Sequence, residues 1–170
     1  GLRVGEVTHL LIEDVDLQAM TIQIRSKPDL FWWVKTDRHR VIPLFPECRY
    51  IFEAAIAGRK AGFVFLNREY AGTRRKTAME FTTPSGFRER VRAIAEELRA
   101  ANPAVSPREL ARMVTQFCRS MGQTPERRIR SQFMQLTRRI GRPDLTKAHD
   151  LRHLFSSRVQ EQGMNPLIAQ

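Results

Sequence analysis

Cysteine is nearly absent from this chain. Its two residues, Cys48 and Cys118, stand far apart and without metal-ligand spacing, which excludes a disulfide framework and a cysteine zinc site. No apolar run approaches the length of a membrane span, and no signal peptide is visible. Together these favour a reduced, cytoplasmic setting without membrane attachment. Tyrosine is equally scarce, with Tyr50 and Tyr70 alone. Acidic residues are under-represented: 18 Asp and Glu face 29 Lys and Arg, a net charge of +11. The shortage is uneven. Residues 1–65 carry 9 basic and 8 acidic side chains, whereas residues 66–170 carry 20 and 10. A surplus concentrated in this way suits a polyanion, and nucleic acid is the commonest. The chain opens Gly1-Leu2-Arg3 and closes at Gln170 in a helical pattern, so both ends read as cut.

At 170 residues there is enough chain for a domain with a proper core. Residues 2–11 read as the end of a helix, with Arg3 and Glu6 three apart and therefore side by side. Asp14 and Asp16 mark a turn, and the isolated His9 reads as structural. Alternating, β-branched Met20–Arg25 predicts a strand, Leu30–Val34 a second and Arg40–Leu44 a third. These make a small antiparallel sheet whose second hairpin places Lys35 at or beside its tip, with Pro43 confining the third strand to an edge or an end. Trp32 and Trp33, being adjacent, point to opposite faces. Pro46 to Gly58 reads as a helix that buries Phe45, Ile51, Phe52, Ala55 and Ile56. Phe63–Leu66 is a short apolar run.

Residues 67–84 show no period and carry Arg68, Arg74, Arg75 and Lys76, which reads as a basic loop. Three helices follow. The first spaces Phe87, Val91, Ile94, Ala95 and Leu98 helically. The second opens on the capping box Ser106-Pro107-Arg108-Glu109. The third opens on Thr124-Pro125 and aligns Ile129, Phe133, Leu136 and Ile140 as its buried side. That third helix also carries Arg127, Arg128, Arg130, Arg138 and Arg139, a cationic face suited to DNA backbone. The fold class expected is α+β: mainly α-helical, with a small three-stranded antiparallel sheet near the N-terminus.

The most distinctive stretch is Ala148-His149-Asp150-Leu151-Arg152-His153-Leu154-Phe155-Ser156. On a helix His149, Arg152 and His153 share a face, and Leu151, Leu154 and Phe155 can pack on the other side. Imidazole beside guanidinium suits chemistry on a phosphate: Arg grips two oxygens, and His moves a proton.

Three motifs in order resemble the tyrosine recombinases of the phage integrase family. Gly1-Leu2-Arg3-Val4-Gly5-Glu6 with Leu10 and Asp14 resembles the opening signature. Lys35, ahead of Arg40-Val41-Ile42-Pro43-Leu44, looks like the hairpin lysine. His149-Asp150-Leu151-Arg152-His153 looks like the His-x-x-Arg box. The resemblance implies a partial catalytic domain over 1–170, without the family's N-terminal DNA-clamping domain. Residues 67–144 are longer than expected there, with the helices over 85–121 reading as a helical insertion. It implies recombination or integration through a 3′-phosphotyrosine bond on double-stranded DNA, by a tetramer. Arg3 and Arg152 would hold the phosphoryl oxygens, Lys35 would protonate the leaving 5′-hydroxyl, and His149 would assist proton transfer. Glu6 and His153 would support the cluster. Charge developing on the phosphoryl oxygens calls for fixed guanidinium groups, and a 5′-alkoxide needs an acid. The cations required are side chains, so neither a metal nor an organic cofactor is implied. The family's nucleophilic tyrosine follows the His-x-x-Arg box; neither Tyr50 nor Tyr70 lies there, and both read as structural. Two alternatives share the same residues: a non-catalytic DNA-binding remnant or regulator, and a type IB topoisomerase.

Overall fold

The computed structural model describes residues 2–36, 38–67 and 82–148, and beyond these Asp150, Leu151, His153, Ser157 and Glu161. The chain divides into two compact units, His9–Gln123 and Gly1–Thr8 with Thr124–Gln170. The fold is α+β and mainly helical, with one three-stranded antiparallel sheet near the N-terminus.

In the unit His9–Gln123 the sheet runs β1 (Val15–Asp16), β2 (Thr21–Ile24), β3 (Arg40–Pro43), in that spatial order. Strand β2 alternates as a half-buried strand should: Ile22 and Ile24 are buried and Gln23 is exposed. Ile22 pairs with both Val15 and Ile42, and Ile24 pairs with Arg40. The β1–β2 turn is closed by the Asp16 carboxylate, which accepts from the backbone N–H groups of Gln18 and Ala19. Pro43 ends β3 on the sheet's edge, where its missing N–H costs nothing.

Two expectations about this sheet are corrected. Leu30–Val34 is not a strand. Pro28 starts a 3₁₀ turn, Pro28–Leu30, and Phe31 follows in the left-handed region at φ 51°. The chain then folds back so that the N–H and C=O of Lys27 both pair with Trp32. The third strand is instead Val15–Asp16, in the stretch expected to be only a turn. Aromatic and β-branched residues favour a strand only where a partner strand can receive them.

Helix α2 spans Arg49–Ile56, shorter than the expected 46–58 because Pro46–Cys48 is a 3₁₀ turn and Ala57 is left-handed. It buries Phe52, but Phe45 and Ile51, expected inside, are exposed. The Arg59 guanidinium donates to the carbonyls of Ala55, Phe63 and Val64, tying the helix end to the apolar run that follows.

Helix α3 (Pro84–Ala101) begins at Thr83, whose Oγ1 accepts from the Gly86 N–H. Helix α4 (Pro107–Ser120) begins at Ser106, whose Oγ accepts from the Glu109 N–H. Their buried residues repeat every four positions: Phe87, Val91, Ala95 on α3 and Leu110, Val114, Cys118 on α4. These six share one core with Leu11, Leu30, Ala61, Phe63 and Met121. Phe63 meets Phe87 edge-on at 5.5 Å. Burial pushes the Cys118 thiol up to about 12, so it packs as a small hydrophobe.

In the other unit, helix α1 (Val4–Thr8) lies against α5 (Glu126–Arg139). Helix α5 buries Phe133 and Thr137. Leu136 and Ile140, expected on that side, are 55% and 61% exposed. The inward stripe is Phe133 to Thr137, four apart, and the Thr137 hydroxyl is satisfied by the Met134 carbonyl. The helix ends at Gly141, φ 72°, with the Arg142 N–H donating to the Thr137 carbonyl.

Candidate functional site

Arg3 immediately precedes α1, and its carbonyl accepts the Val7 N–H that begins the helix. Glu6 reaches back over this first turn. Its Oε2 accepts from the Arg3 backbone N–H at 2.8 Å, and its Oε1 accepts from Arg3 Nη1 at 3.2 Å. A carboxylate three residues into a helix, returning to the preceding N–H, is one half of a capping box and favours the helix's positive end. Here the same carboxylate also holds the guanidinium. The Glu6 side chain is 2% exposed and that of Arg3 is 26% exposed. A guanidinium has five N–H donors, so one bond to Glu6 leaves it able to grip an anion from a fixed position.

Lys35 lies in the unit His9–Gln123, on the long connection from β2 to β3, at an exposed turn. It is not at the tip of a hairpin between strands 30–34 and 40–44, because the first of these does not form. Earlier on the same connection, charge fixes the chain around Lys27. The buried Asp14 carboxylate accepts from the Leu11 N–H at 2.9 Å, Lys27 Nζ at 2.9 Å and Arg25 Nε at 2.8 Å. Lys27 is 2% exposed; its ammonium also donates to the Arg25 carbonyl and sits 5.3 Å from the centre of the Trp32 ring. Trp32 in turn stacks on His9 at 4.9 Å, consistent with a structural His9. Burial holds the Lys27 ammonium below its ordinary pKa, against the pull of Asp14. Trp33 faces the other way and is 56% exposed.

A second set of ion pairs ties α3 to the same region. Arg88 donates to Glu13 Oε1 through Nε and Nη2, and to Asp29 Oδ2 through Nη1. Arg92 takes the other oxygen of Asp29, and Arg25 shares Glu13. Burial opposes ionisation of Asp29, but hydrogen bonds from Arg92 and Arg88 outweigh it and hold the carboxyl below its ordinary value. Sequence reasoning missed this network. Glu13 and Arg88 are 75 residues apart, and no local pattern links them.

His149 and Arg152 lie outside the described residues. Around them, Ala148, Asp150, Leu151, His153, Ser157 and Glu161 have helical backbone. Asp150 Oδ2 accepts from the Lys147 N–H, as an acid in a first helical turn does. His153 is exposed, and so is Leu151, at odds with the expectation that Leu151 packs inward. Arg68, Arg74, Arg75, Lys76 and Tyr70 also lie outside the described residues. On α5, Arg127, Arg130, Arg138 and Arg139 are exposed and Arg128 is half-buried. Tyr50 is exposed on α2. Among the described residues no three His, Cys, Asp or Glu side chains gather to hold a metal ion, and no helix is long and apolar enough to cross a membrane.

Each unit offers one candidate group: an oriented guanidinium at Arg3 in the unit of Gly1–Thr8 with Thr124–Gln170, and the exposed primary amine of Lys35 in the unit His9–Gln123. The first can grip a phosphoryl group; the second can give a proton to a leaving oxygen. A family model described as the Phage integrase family matches residues 1–170, the whole chain. No curated protein and no solved structure gives a match.

Proposed function

The chain belongs to the phage integrase family, and from that premise we propose that it supplies the phosphate-activating part of a site-specific tyrosine recombinase. Its substrate is double-stranded DNA, cut and rejoined through a 3′-phosphotyrosine bond by a tetramer working in the cytoplasm. Arg3 and Arg152 hold the non-bridging oxygens of the scissile phosphate, where charge grows in the transition state. Lys35 protonates the leaving 5′-oxygen, and His149 assists proton transfer. Glu6 orients Arg3, and His153 supports the box. A covalent intermediate keeps the phosphodiester's energy for rejoining, which hydrolysis would lose. The exposed arginines of α5 and the basic stretch Arg74, Arg75, Lys76 meet the DNA backbone. The nucleophile is assigned to neither Tyr50 nor Tyr70; the resemblance puts it downstream of the His149–Arg152 box.

The observation that carries this reading is the Arg3–Glu6 pair. A largely buried carboxylate fixes both the backbone and the guanidinium of an arginine that stays partly open. The test is covalent capture. The protein encoded by the gene, incubated with its recombination site, should form a protein–DNA adduct that survives denaturant, and Arg3→Ala should remove it at nearly unchanged DNA affinity. A second reading rests on the basic surplus of residues 66–170: a DNA-binding module with no chemistry. Tight, salt-sensitive DNA binding with no adduct would select it. Absence of DNA binding at low salt would sink both.

A further inference from the structure

Ser26 follows β2 by two residues and sits beside the buried Lys27. It makes two hydrogen bonds, one to each side of Lys35. Its Oγ accepts from the Val34 N–H at 3.0 Å, and its own N–H donates to His39 Nε2 at 3.3 Å. Val34 is the residue before Lys35 and is itself buried. His39 is the residue before β3. Both feet of the Lys35 turn thus stand on one serine. The residue after that serine, Lys27, is itself fixed: its ammonium meets Asp14 and its backbone pairs with Trp32.

We propose that Ser26 and His39 are positioning residues for Lys35. This rests on the reading of Lys35 as the proton donor. A general acid must come within hydrogen-bond reach of the oxygen it protonates, and a displacement of about 1 Å costs roughly 100-fold in rate. An exposed lysine on an open loop would have to find that position anew in each encounter. Tying the chain at Val34 and at His39 limits how far Lys35, between them, can stray. The two bonds also define what each residue must be. Position 26 needs a side-chain acceptor, which alanine lacks. Position 39 needs an acceptor that reaches the Ser26 N–H, which a neutral imidazole protonated on Nδ1 provides and a glutamine amide oxygen can imitate.

The experiment captures Lys35 chemically and does not depend on the nucleophile. A duplex bearing the recombination site is nicked at the cleavage position, with an aldehyde in place of the 5′-hydroxyl. The Lys35 amine condenses with the aldehyde, releasing water, and borohydride reduces the imine to a stable secondary amine that peptide mapping locates. In Ser26→Ala and in His39→Ala, capture at Lys35 should fall about 10-fold or more, with DNA affinity and melting temperature nearly unchanged. His39→Gln should restore it. If the parent chain gives no adduct at Lys35, the assignment of Lys35 as proton donor fails, and this inference with it. If the parent gives the adduct and both alanine variants give as much, the assignment stands and the positioning role is overturned. Should Ser26→Ala unfold the loop, the His39→Ala and His39→Gln pair decides: equal capture by the two overturns the role.

Discussion

Removing the Asp14 carboxylate should damage this protein far more than removing the ammonium it faces. Asp14→Ala deletes the acceptor of three donors: the Leu11 N–H, Lys27 Nζ and Arg25 Nε. Arg25 can still turn to Glu13. Lys27, 2% exposed, cannot leave, and a charge buried without its partner costs about 3–5 kcal/mol. At roughly 2–4 °C per kcal/mol for a chain of this size, the melting temperature should drop by roughly 6–20 °C. Lys27→Met removes the cation that must be desolvated and leaves Asp14 with Arg25 and the Leu11 N–H. It should cost no more than about 1–2 kcal/mol, and the double variant should recover part of the loss from Asp14→Ala. A pH series adds an independent reading. Burial holds the Lys27 pKa below its ordinary 10.5. A cation whose folded pKa lies below its unfolded value opposes folding while charged. That cost is present at neutral pH and lifts as pH rises through the folded value toward 10.5. Without Asp14 the cost is larger, so Asp14→Ala should regain stability on the alkaline side more steeply than the parent. Thermal and urea unfolding measure all of this. If Lys27→Met costs as much as Asp14→Ala, the carboxylate is not what makes the buried ammonium tolerable, and the reasoning fails.

Three further outcomes are expected. Arg88→Met leaves Glu13 and Asp29 short of their shared partner and should cost about 2–3 kcal/mol. The Asp29 carboxyl is held below 3.8, so its contribution is intact above that value and disappears as pH falls through the folded pKa; acid-unfolding curves of Arg88→Met should be flatter in that window. Replacing Arg127, Arg130, Arg138 or Arg139 by Gln should weaken DNA binding regardless of sequence. Each arginine that pairs with a phosphate should, when replaced, lower the slope of log K against log salt by about 0.9, and four unchanged slopes would remove α5 from the interface. Lys35→Ala should slow cleavage of ordinary DNA yet cleave a substrate with sulfur at the 5′-bridging position at close to the parent rate. A thiol, with pKa about 8.5, leaves without a proton, so equal impairment on both substrates would deny Lys35 its role.

What the sequence made legible is what neighbours along the chain decide. Helices α3 and α4 follow from the helical spacing of Phe87, Val91, Ala95 and of Leu110, Val114, Phe117, and from Ser106 with Pro107 at a helix start; that Cys118 is the third buried residue of α4 was not read. The Arg3–Glu6 pair was readable because the two lie one turn apart. Readings that needed a partner from elsewhere went astray. Phe31-Trp32-Trp33 has the composition of a strand, but Pro28 and the left-handed Phe31 turn it back onto Lys27. Val15–Asp16 is too short to show a period, and it becomes a strand only because Ile22 pairs with it. On α5 the apolar series Phe133, Leu136, Ile140 suggests an inward face, yet the surface covered runs through Thr137, a polar residue that satisfies itself locally. The props of Lys35 were invisible for the same reason. Ser26 and His39 are 13 residues apart on an irregular connection.

Helices α3 and α4 occupy the stretch that the family resemblance makes longer than expected. Their energetic place in the protein can be tested directly. Leu11, Leu30 and Phe63 are each nearly or fully buried in the core they share with Phe87, Val91, Leu110 and Val114. Excising residues 85–121 would return the first three side chains largely to water, at about 1.5–3 kcal/mol each. It would also remove Arg88 and Arg92, leaving Asp29 and Glu13 without two of their cations. The hydrophobic loss alone, roughly 5–9 kcal/mol, is as large as the whole stability of many domains. The shortened chain should therefore not fold, and circular dichroism should show no cooperative melting. A shortened chain that melted cooperatively would mean that residues 9–66 hold a core without the helices. The ion pairs of Arg88 and Arg92 with Glu13 and Asp29 would then be a surface attachment.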